Sequence, residues 1–426
     1  MNILLTNVYS FQNKGDAAIV IALLHELKRV FPHPNIAIQT TDVKNDLDKY
    51  GVPVSSTLLW QFLSSVRDRS VALRMAVAAR GIVTLMLFLL AYRATGARLH
   101  FLLTKELRQF VHENMVADFV VGCGGGYLRT SNGSAHDTLL LLVTCLNFVT
   151  AAYLGKPVFM YSQSIGPVYG RVQKALLKWA LNKVQLVESR EDVSTRFLES
   201  LNLSVPVVAT ADSALLLGGH GKLPEGILHA NDGRMRVGLT VRKWFKTPSE
   251  LEAYIATMAQ AIDYVVEKYN AEVYYIPQVI AEKFGDDDRL IAQRVHEKVR
   301  NRDYFTVIDS DLHPFEVIGL CAAMNVFIGT RMHSNIFALI SHVPVVAIEY
   351  EHKTRGIMRG LGIESLTLDI HTLSLDTLKA KIDDVIAHRS EYSQLIQTNL
   401  VGQIKKSQSA MEIIKEVYET KAQGVQ

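Results

Sequence analysis

Short apolar runs alternate along the chain with longer stretches in which apolar residues recur at helical spacing. The runs read as strands and the stretches as helices. "NILLTN" is followed by the amphipathic "GDAAIVIALLHELKRVF", and "NIAIQT" is the next strand. Residues 46–115 read as helical and irregular. Then come the strand "ADFVVGCGGG", running into a glycine loop, the helix "HDTLLLLVTCLNFVTAAYLG", the strand "KPVFMYSQSIGP", the helix "RVQKALLKWALNKV", the strand "QLVESR" and the helix "EDVSTRFLESLNL". A second series starts after the glycine- and proline-containing segment 218–233. It runs "MRVGLTVRKW", a helix over 249–268, "AEVYYIPQ", a helix near 287–300, "FTVID", a helix over 314–323, then "NVFIG" and "VPVVAIEY" flanking the helical "SNIFALISH". This pattern predicts an α/β chain with two doubly wound, Rossmann-like domains facing a cleft. We place the first at 1–215 and the second at 216–400. A C-terminal helix over 401–426 is expected to cross back to the first domain.

Composition changes this picture little. With 426 residues, 49% of them hydrophobic, the chain can bury large cores. Its 45 basic and 42 acidic residues give a net charge of only +3, which does not argue for nucleic-acid binding. Cys123, Cys145 and Cys321 are odd in number and far apart, so they make neither a disulfide framework nor a zinc site. A reducing cytoplasm fits them best, and "MNILLTNVYS" reads as a first strand rather than a signal peptide. One region departs from the rest. Arg69, Arg74, Arg80, Arg93, Arg98 and Lys105 occur with no acid between them, around the apolar "GIVTLMLFLLAY". That core is shorter than the roughly 20 residues a spanning helix needs. Over about 67–108 we therefore expect an apolar helical insert. Its candidate roles are a buried or oligomer-interface helix, an interfacial segment on an anionic membrane, or, least favoured, a span.

In a doubly wound fold, chemistry sits just after the strand ends. In the first domain those positions hold Asn13, Gly15 and Asp16, then the glycines of "GCGGGYL", then Gln163 and Ser164, then Arg190. Asp16 is either a helix cap or a cleft-facing group that binds or deprotonates a hydroxyl. "GCGGGYL" is not a dinucleotide fingerprint, because Tyr127 stands where the third glycine belongs, and no Walker lysine follows. Gly124 and Gly125 imply close backbone approach by a helix or by a ligand. In the second domain, Arg242 and Trp244 follow the first strand, and "IPQ" exposes Gln278. Asp286–Asp288 and Asp309–Asp311 read as helix starts rather than metal motifs. In "GTRMHSNIF", Arg331 and His333 stand where a buried strand gives way to a helix. An arginine and a helix N-terminus suit an anion, and a histidine moves protons near neutral pH. Ser334 reads as a cap or a phosphate-binding hydroxyl, and Glu349 as a base, an orienter of His333 or a structural group.

Taken in order, "NKGDAAI", "GCGGGYL", "SQSIGP", "SREDVS", "TADSALL" and above all "GTRMHSNIFALISHVPVVAIEYEHKTRGIMRGLG" resemble the polysaccharide pyruvyl transferases over nearly the whole chain. The resemblance implies a GT-B-like fold and a metal-independent transferase without a cofactor. It implies phosphoenolpyruvate as co-substrate, whose pyruvate is placed on a sugar as a cyclic ketal with release of phosphate. The acceptor would be an exopolysaccharide, cell-wall or glycolipid sugar, often lipid-linked. The expected setting is cytoplasmic; the insert 67–108 has no place in the family pattern, and it is its own basic, apolar composition that points to peripheral contact with the inner face of the cell membrane, with a homo-oligomer also compatible. The first domain would take the acceptor and the second the donor. Arg331 and His333 would contact the donor, with the Met332 backbone between them. Arg242, or failing it Arg190, would be the second donor-binding arginine. Asn13, Asp16, Gly124, Gly125, Gln163, Ser334 and Glu349 complete the expected substrate contacts. The chain departs from the family pattern at Gln12, Ser162 and Glu351-His352-Lys353, on loops expected to bear on acceptor identity. Two rival readings are a nucleotide-sugar glycosyltransferase on the same scaffold and a non-catalytic sugar-binding or assembly module.

Overall fold

The computed structural model describes residues 1–58, 70–96, 99–230, 233–351 and 353–423. Arg69, Arg98 and His352, singled out above, lie outside the described residues. The chain divides into two compact units. Unit 1 comprises Met1–Phe11, Ile19–Asp212 and Ser407–Gln426, and unit 2 comprises Gln12–Ala18 and Ser213–Lys406.

Unit 1 carries β1 (Asn2–Val8), most of α1 (Lys14–Val30), β2 (Asn35–Thr40), α2 (Val43–Asp46), β3 (Val54–Ser56), α3 (Val71–Thr95), α4 (Lys105–Val116), β4 (Phe119–Gly122), β5 (Gly125–Leu128), α5 (Ala135–Tyr153), β6 (Val158–Ile165), α6 (Arg171–Leu181), β7 (Leu186–Ser189), α7 (Asp192–Ser200) and β8 (Val207–Ala209). Its strands pair in the order β3-β2-β1-β4-β6-β7-β8, with β5 paired to β6. All of these pairings are parallel. β6 is buried at every residue, as a parallel strand covered on both faces must be.

Val71–Thr95, the greater part of the basic apolar insert, forms one continuous helix. α3 starts at Ser70, whose side chain accepts from the Leu73 amide, and ends at Gly96 in the left-handed conformation. The helix extends through the exposed Arg80, beyond the apolar run Gly81–Tyr92 at its amino-terminal side. One face of α3 (Ala78, Leu85, Phe88, Leu89) joins Leu107, Phe110 and Val111 of α4 and Val143 and Leu146 of α5 in a separate buried cluster. Ala76–Thr95 and Ala135–Tyr153 are each long and apolar enough to cross a membrane by length and composition alone, but half of the second is buried.

Unit 2 continues with β9 (Met235–Thr240), α8 (Pro248–Tyr269), β10 (Ala271–Tyr275), the antiparallel pair β11 (Ile280–Ala281) and β12 (Asp286–Asp287), α9 (Asp288–Lys298), β13 (Phe305–Val307), α10 (Pro314–Ala322), β14 (Val326–Gly329), α11 (Met332–Leu339), β15 (Val345–Glu349), α12 (Lys353–Gly360), β16 (Thr367–Asp369), α13 (Leu375–Ala387) and the part of the long α14 (Arg389–Gln423) that precedes Ser407. Its six-stranded sheet has the order β13-β10-β9-β14-β15-β16, all parallel. Counted from β9 this is 3-2-1-4-5-6, the order of a dinucleotide-binding doubly wound sheet. The chain reverses direction across the sheet between β9 and β14. Ligands of such sheets bind outside the carboxyl ends of the strands at that switch point.

Candidate functional site

The loops that leave β9 and β14 meet at the switch point of unit 2, and hydrogen bonds lock them together. Thr240, the last residue of β9, receives the Thr330 amide on its hydroxyl at 3.0 Å, and its carbonyl accepts the Thr330 hydroxyl at 3.0 Å. The Thr330 hydroxyl also lies 3.0 Å from that of Tyr254. The Ser334 hydroxyl donates to the Arg331 carbonyl at 2.6 Å and lies 2.9 Å from that of Thr240. Ser334 is thus a fully buried fastener of the turn rather than a group offered to a phosphate. Met332 lies buried beside it, at the start of α11.

Arg331 is the N-cap residue of α11 and is only 7% exposed. Its guanidinium is held by two carboxylates. Nε donates to Asp288 at 2.9 Å, and one terminal nitrogen reaches Asp288 and Asp286, each at 2.6 Å. This changes the reading of two motifs. In Asp286–Asp288 only Asp287 caps a helix, accepting the Arg289 amide at 3.0 Å, while its two neighbours grip Arg331. Arg331 is therefore not an uncompensated cation. Burial works against its charge, but Asp288 and Asp286 more than offset this and move its pKa further up. Burial pushes the Asp288 carboxyl up, with Arg331 acting in the opposite sense. Asp309–Asp311 is not a cap either. α10 is capped by His313 and Glu316, and Asp311 instead pairs with Lys14 at 2.5 Å.

The segment before α1 belongs to this unit. The Ile280 amide donates to the Gln12 carbonyl at 3.0 Å, and the Lys14 amide donates to the Gln278 carbonyl at 2.9 Å. Asn13 caps α1, its side-chain oxygen accepting the Gly15 and Asp16 amides at 3.2 and 3.3 Å. Asp16 is not the cap; it receives the Asn13 amide group at 2.6 Å. Gly15 packs directly on the imidazole of His333, so that a Cβ at this position would overlap the ring. The absence of a side chain at 15 is what seats His333. On the other side, Arg242 stacks over Tyr350 at 4.2 Å and Trp244 at 5.3 Å, and its buried Nε has no hydrogen-bond partner. Gln278 is buried at 2% exposure, not exposed as its loop position suggested. Among the described residues, its side-chain amide and that of Asn335 on α11 also lack partners. Buried polar groups nearly always have partners, so these three mark positions suited to a ligand's polar atoms.

The other expected contacts each have partners within their own unit. Arg190 belongs to unit 1, where Asp212 at 2.8 Å, Ser164 at 2.7 Å and Glu191 at 3.5 Å surround its guanidinium. Gln163 is fully buried, and its amide nitrogen donates to the carbonyls of Gly122 and Cys123 at 2.9 and 2.7 Å, tying down the glycine loop. Gly124 lies against the backbone of Ser162, too close for any Cβ, and Gly125 pairs with Gln163 in the sheet. The neighbour that these glycines accommodate is strand β6. Glu349 binds Arg355 at 2.7 Å through one carboxylate oxygen. Sequence reasoning missed Lys14, fully buried within "NKGD", and the grip of Asp286 and Asp288 on Arg331. A lysine flanked by a cap and a glycine was the available signal for the first.

Solved structures show the same architecture. A UDP-N-acetylglucosamine 2-epimerase from Listeria monocytogenes aligns with a TM-score of 0.60 at 11% identity, covering 98% of this chain and 97% of its own. The spinosyn rhamnosyltransferase SpnG aligns at 0.51 and 10%, covering 98% and 100%. The fold is thus that of GT-B glycosyltransferases and the related epimerases, with two Rossmann-like units. The amylovoran biosynthesis protein AmsJ of Erwinia amylovora is 24% identical over 416 residues, which cover 93% of this chain and 94% of that protein. Residues 13–352, from the Asn13 cap through the Arg331–His333 turn and past β15, match the polysaccharide pyruvyl transferase family, and the chain belongs to it.

Proposed function

We propose that this enzyme takes pyruvate from phosphoenolpyruvate and places it on two hydroxyls of a sugar as a cyclic ketal, releasing phosphate. The sugar belongs to a polysaccharide or glycolipid precursor carried on a lipid. The observation that carries the reading is the convergence of His333, Arg331 and Arg242 on the switch point of one sheet. Family membership and the amylovoran biosynthesis role in the name of AmsJ support it.

The chemistry assigns each group a task. Carbon 3 of phosphoenolpyruvate gains a proton, and carbon 2 becomes oxocarbenium-like. A sugar hydroxyl adds there and loses its proton. The second hydroxyl then displaces phosphate and closes the ketal. His333, seated against Gly15, moves the proton. Arg242 binds the anionic donor through charge-assisted hydrogen bonds. Arg331, held rigid by Asp286 and Asp288, turns its remaining hydrogen-bonding capacity to the same donor. The Met332 backbone lies between them. Neither a metal nor a separate cofactor has a task in this scheme, and Asp286, Asp287, Asp288 and Asp311 are engaged by Arg331, Arg289 and Lys14. The reaction takes place in the cytoplasm, where phosphoenolpyruvate is available.

The test is phosphate release from phosphoenolpyruvate, with and without a membrane extract containing lipid-linked glycans. Release that requires the extract, and that falls by about 10²–10⁴ in His333→Ala while the fold persists, is the expected result. A normal rate in that variant would remove His333 from the chemistry. No release with any extract, together with tight and selective binding of a nucleotide sugar, would make the protein a glycosyltransferase on this scaffold.

A further inference from the structure

We infer that the outer face of α3 docks unit 1 on an anionic lipid bilayer. From Gly81 to Tyr92 helix α3 carries no charged residue, and an apolar helix segment in a water-soluble setting requires cover. Its inner face has that cover, since Leu85, Phe88 and Leu89 are fully buried against α4 and α5. Its outer face does not. Val83, Leu87 and Leu90 are 58%, 57% and 53% exposed, and they follow one another at helical spacing along one stripe. Phe101, in the turn that follows, is 74% exposed. Isolated exposed leucines need no explanation, but a contiguous apolar stripe on one helix does.

Charge decides what covers the stripe. Arg80 is exposed one turn before Val83, and Arg93 is exposed one turn after Leu90 with its guanidinium over the Tyr153 ring at 5.7 Å. No acidic residue occurs from 69 to 105. A second copy packed by two-fold symmetry would bring the same stripe and the same arginines face to face, with no carboxylate in the segment to compensate them. An anionic bilayer offers acyl chains to the leucines and headgroup charge to the arginines. The inner face is committed to unit 1, so the helix lies along the surface and does not cross it. Such docking would bring the enzyme to the surface where lipid-linked acceptors reside, but the inference rests on this face alone and not on the reaction proposed above.

The experiment is flotation of the full-length chain with vesicles of phosphatidylcholine alone and of phosphatidylcholine mixed with phosphatidylglycerol, with thermal midpoints and light scattering recorded alongside. The wild type is expected to float with the anionic vesicles and to be released by salt. The double variant Leu87→Gln, Leu90→Gln should lose about tenfold or more in partitioning, with its thermal midpoint unchanged. Arg80→Gln and Arg93→Gln should each lower partitioning about fivefold. These two substitutions leave the apolar stripe intact and so test the charge term separately. Failure of the wild type to float with anionic vesicles overturns the inference, as does undiminished binding by the leucine variant. A wild-type dimer that the leucine variant converts to monomer would assign the face to a second copy instead.

Discussion

At the scale of single residues, the seat of His333 depends on a hydrogen atom. Gly15 carries no side chain, and the imidazole occupies the space a Cβ would need. In Gly15→Ala the backbone gains helix propensity, yet the ring must move to relieve the overlap. A displacement of about 1 Å in a catalytic group can cost 10²-fold in rate. We therefore expect kcat to fall about 100-fold, with KM for phosphoenolpyruvate and the thermal midpoint changed far less; an unchanged kcat would mean that the ring's seat does not matter to the reaction. Glu188 on β7 tests a different term. It is fully buried, and burial pushes its carboxyl well above the ordinary carboxylate range, with the Ser162 backbone acting weakly the other way. The native state then holds this proton more tightly than the unfolded chain. Its contribution to stability falls as pH rises from about 4 toward the raised native value. Glu188→Gln keeps the shape without the ionisation. It should raise the thermal midpoint at neutral pH and flatten its decline between acid and neutral pH, as thermal melts across that range would show. The residues of the turn, Arg331 and His333, were legible because they stand between a buried strand and a helix. The partners of Arg331 were not, because Asp288 and Asp286 lie 43 and 45 positions away and their own spacing imitates a cap.

Elements were read with less ambiguity than side chains, because the periods of 2 and 3.6 residues are local properties of the chain. The helices over 248–269 and 314–322 and the strands over 158–165 and 326–329 lie where the apolar pattern places them. Short pieces such as β3, β8 and the β11–β12 pair were missed, since two or three residues carry no period. The apolar insert shows the opposite limit. Its pattern was visible, but which face of α3 is covered depends on α4 and α5. The last helix is explained by its burial. Beyond Ser407 it contributes Ala410, Met411 and Ile414 to the core of unit 1, and Tyr418 packs on Phe119 with ring centres 4.9 Å apart. Ile414 is fully buried. Ile414→Ala should cost about 2–5 kcal/mol of stability by transfer and cavity terms. Urea unfolding would measure it, and a shift of the midpoint too small for that cost would show this half of the helix to be dispensable.

For the molecule as a whole, strand order is the informative quantity. The order counted from β9 puts the ends of β9 and β14 side by side, and this adjacency brings Arg242 and Arg331 to one place although 89 residues separate them. Arg190 follows β7 of the other sheet, where Asp212 pairs with it. Epimerases and glycosyltransferases share this architecture at about a tenth of sequence identity, so the fold by itself names no substrate. What distinguishes this chain is the set of side chains mounted at the switch point.

The sequence by itself determined the α/β class, the alternation of elements, the family and the turn that carries Arg331 and His333. Each of these depends on neighbours a few positions apart or on an ordered series of short motifs. Only the tertiary structure decided what those residues touch. Lys14 meets Asp311 across 297 positions, Gly15 makes room for His333, and two aspartates neutralise the arginine expected to stand as an open cation. Such pairings arise because sheet order, not spacing along the chain, sets which loops become neighbours. Electrostatic compensation of a buried charge is settled by those neighbours alone.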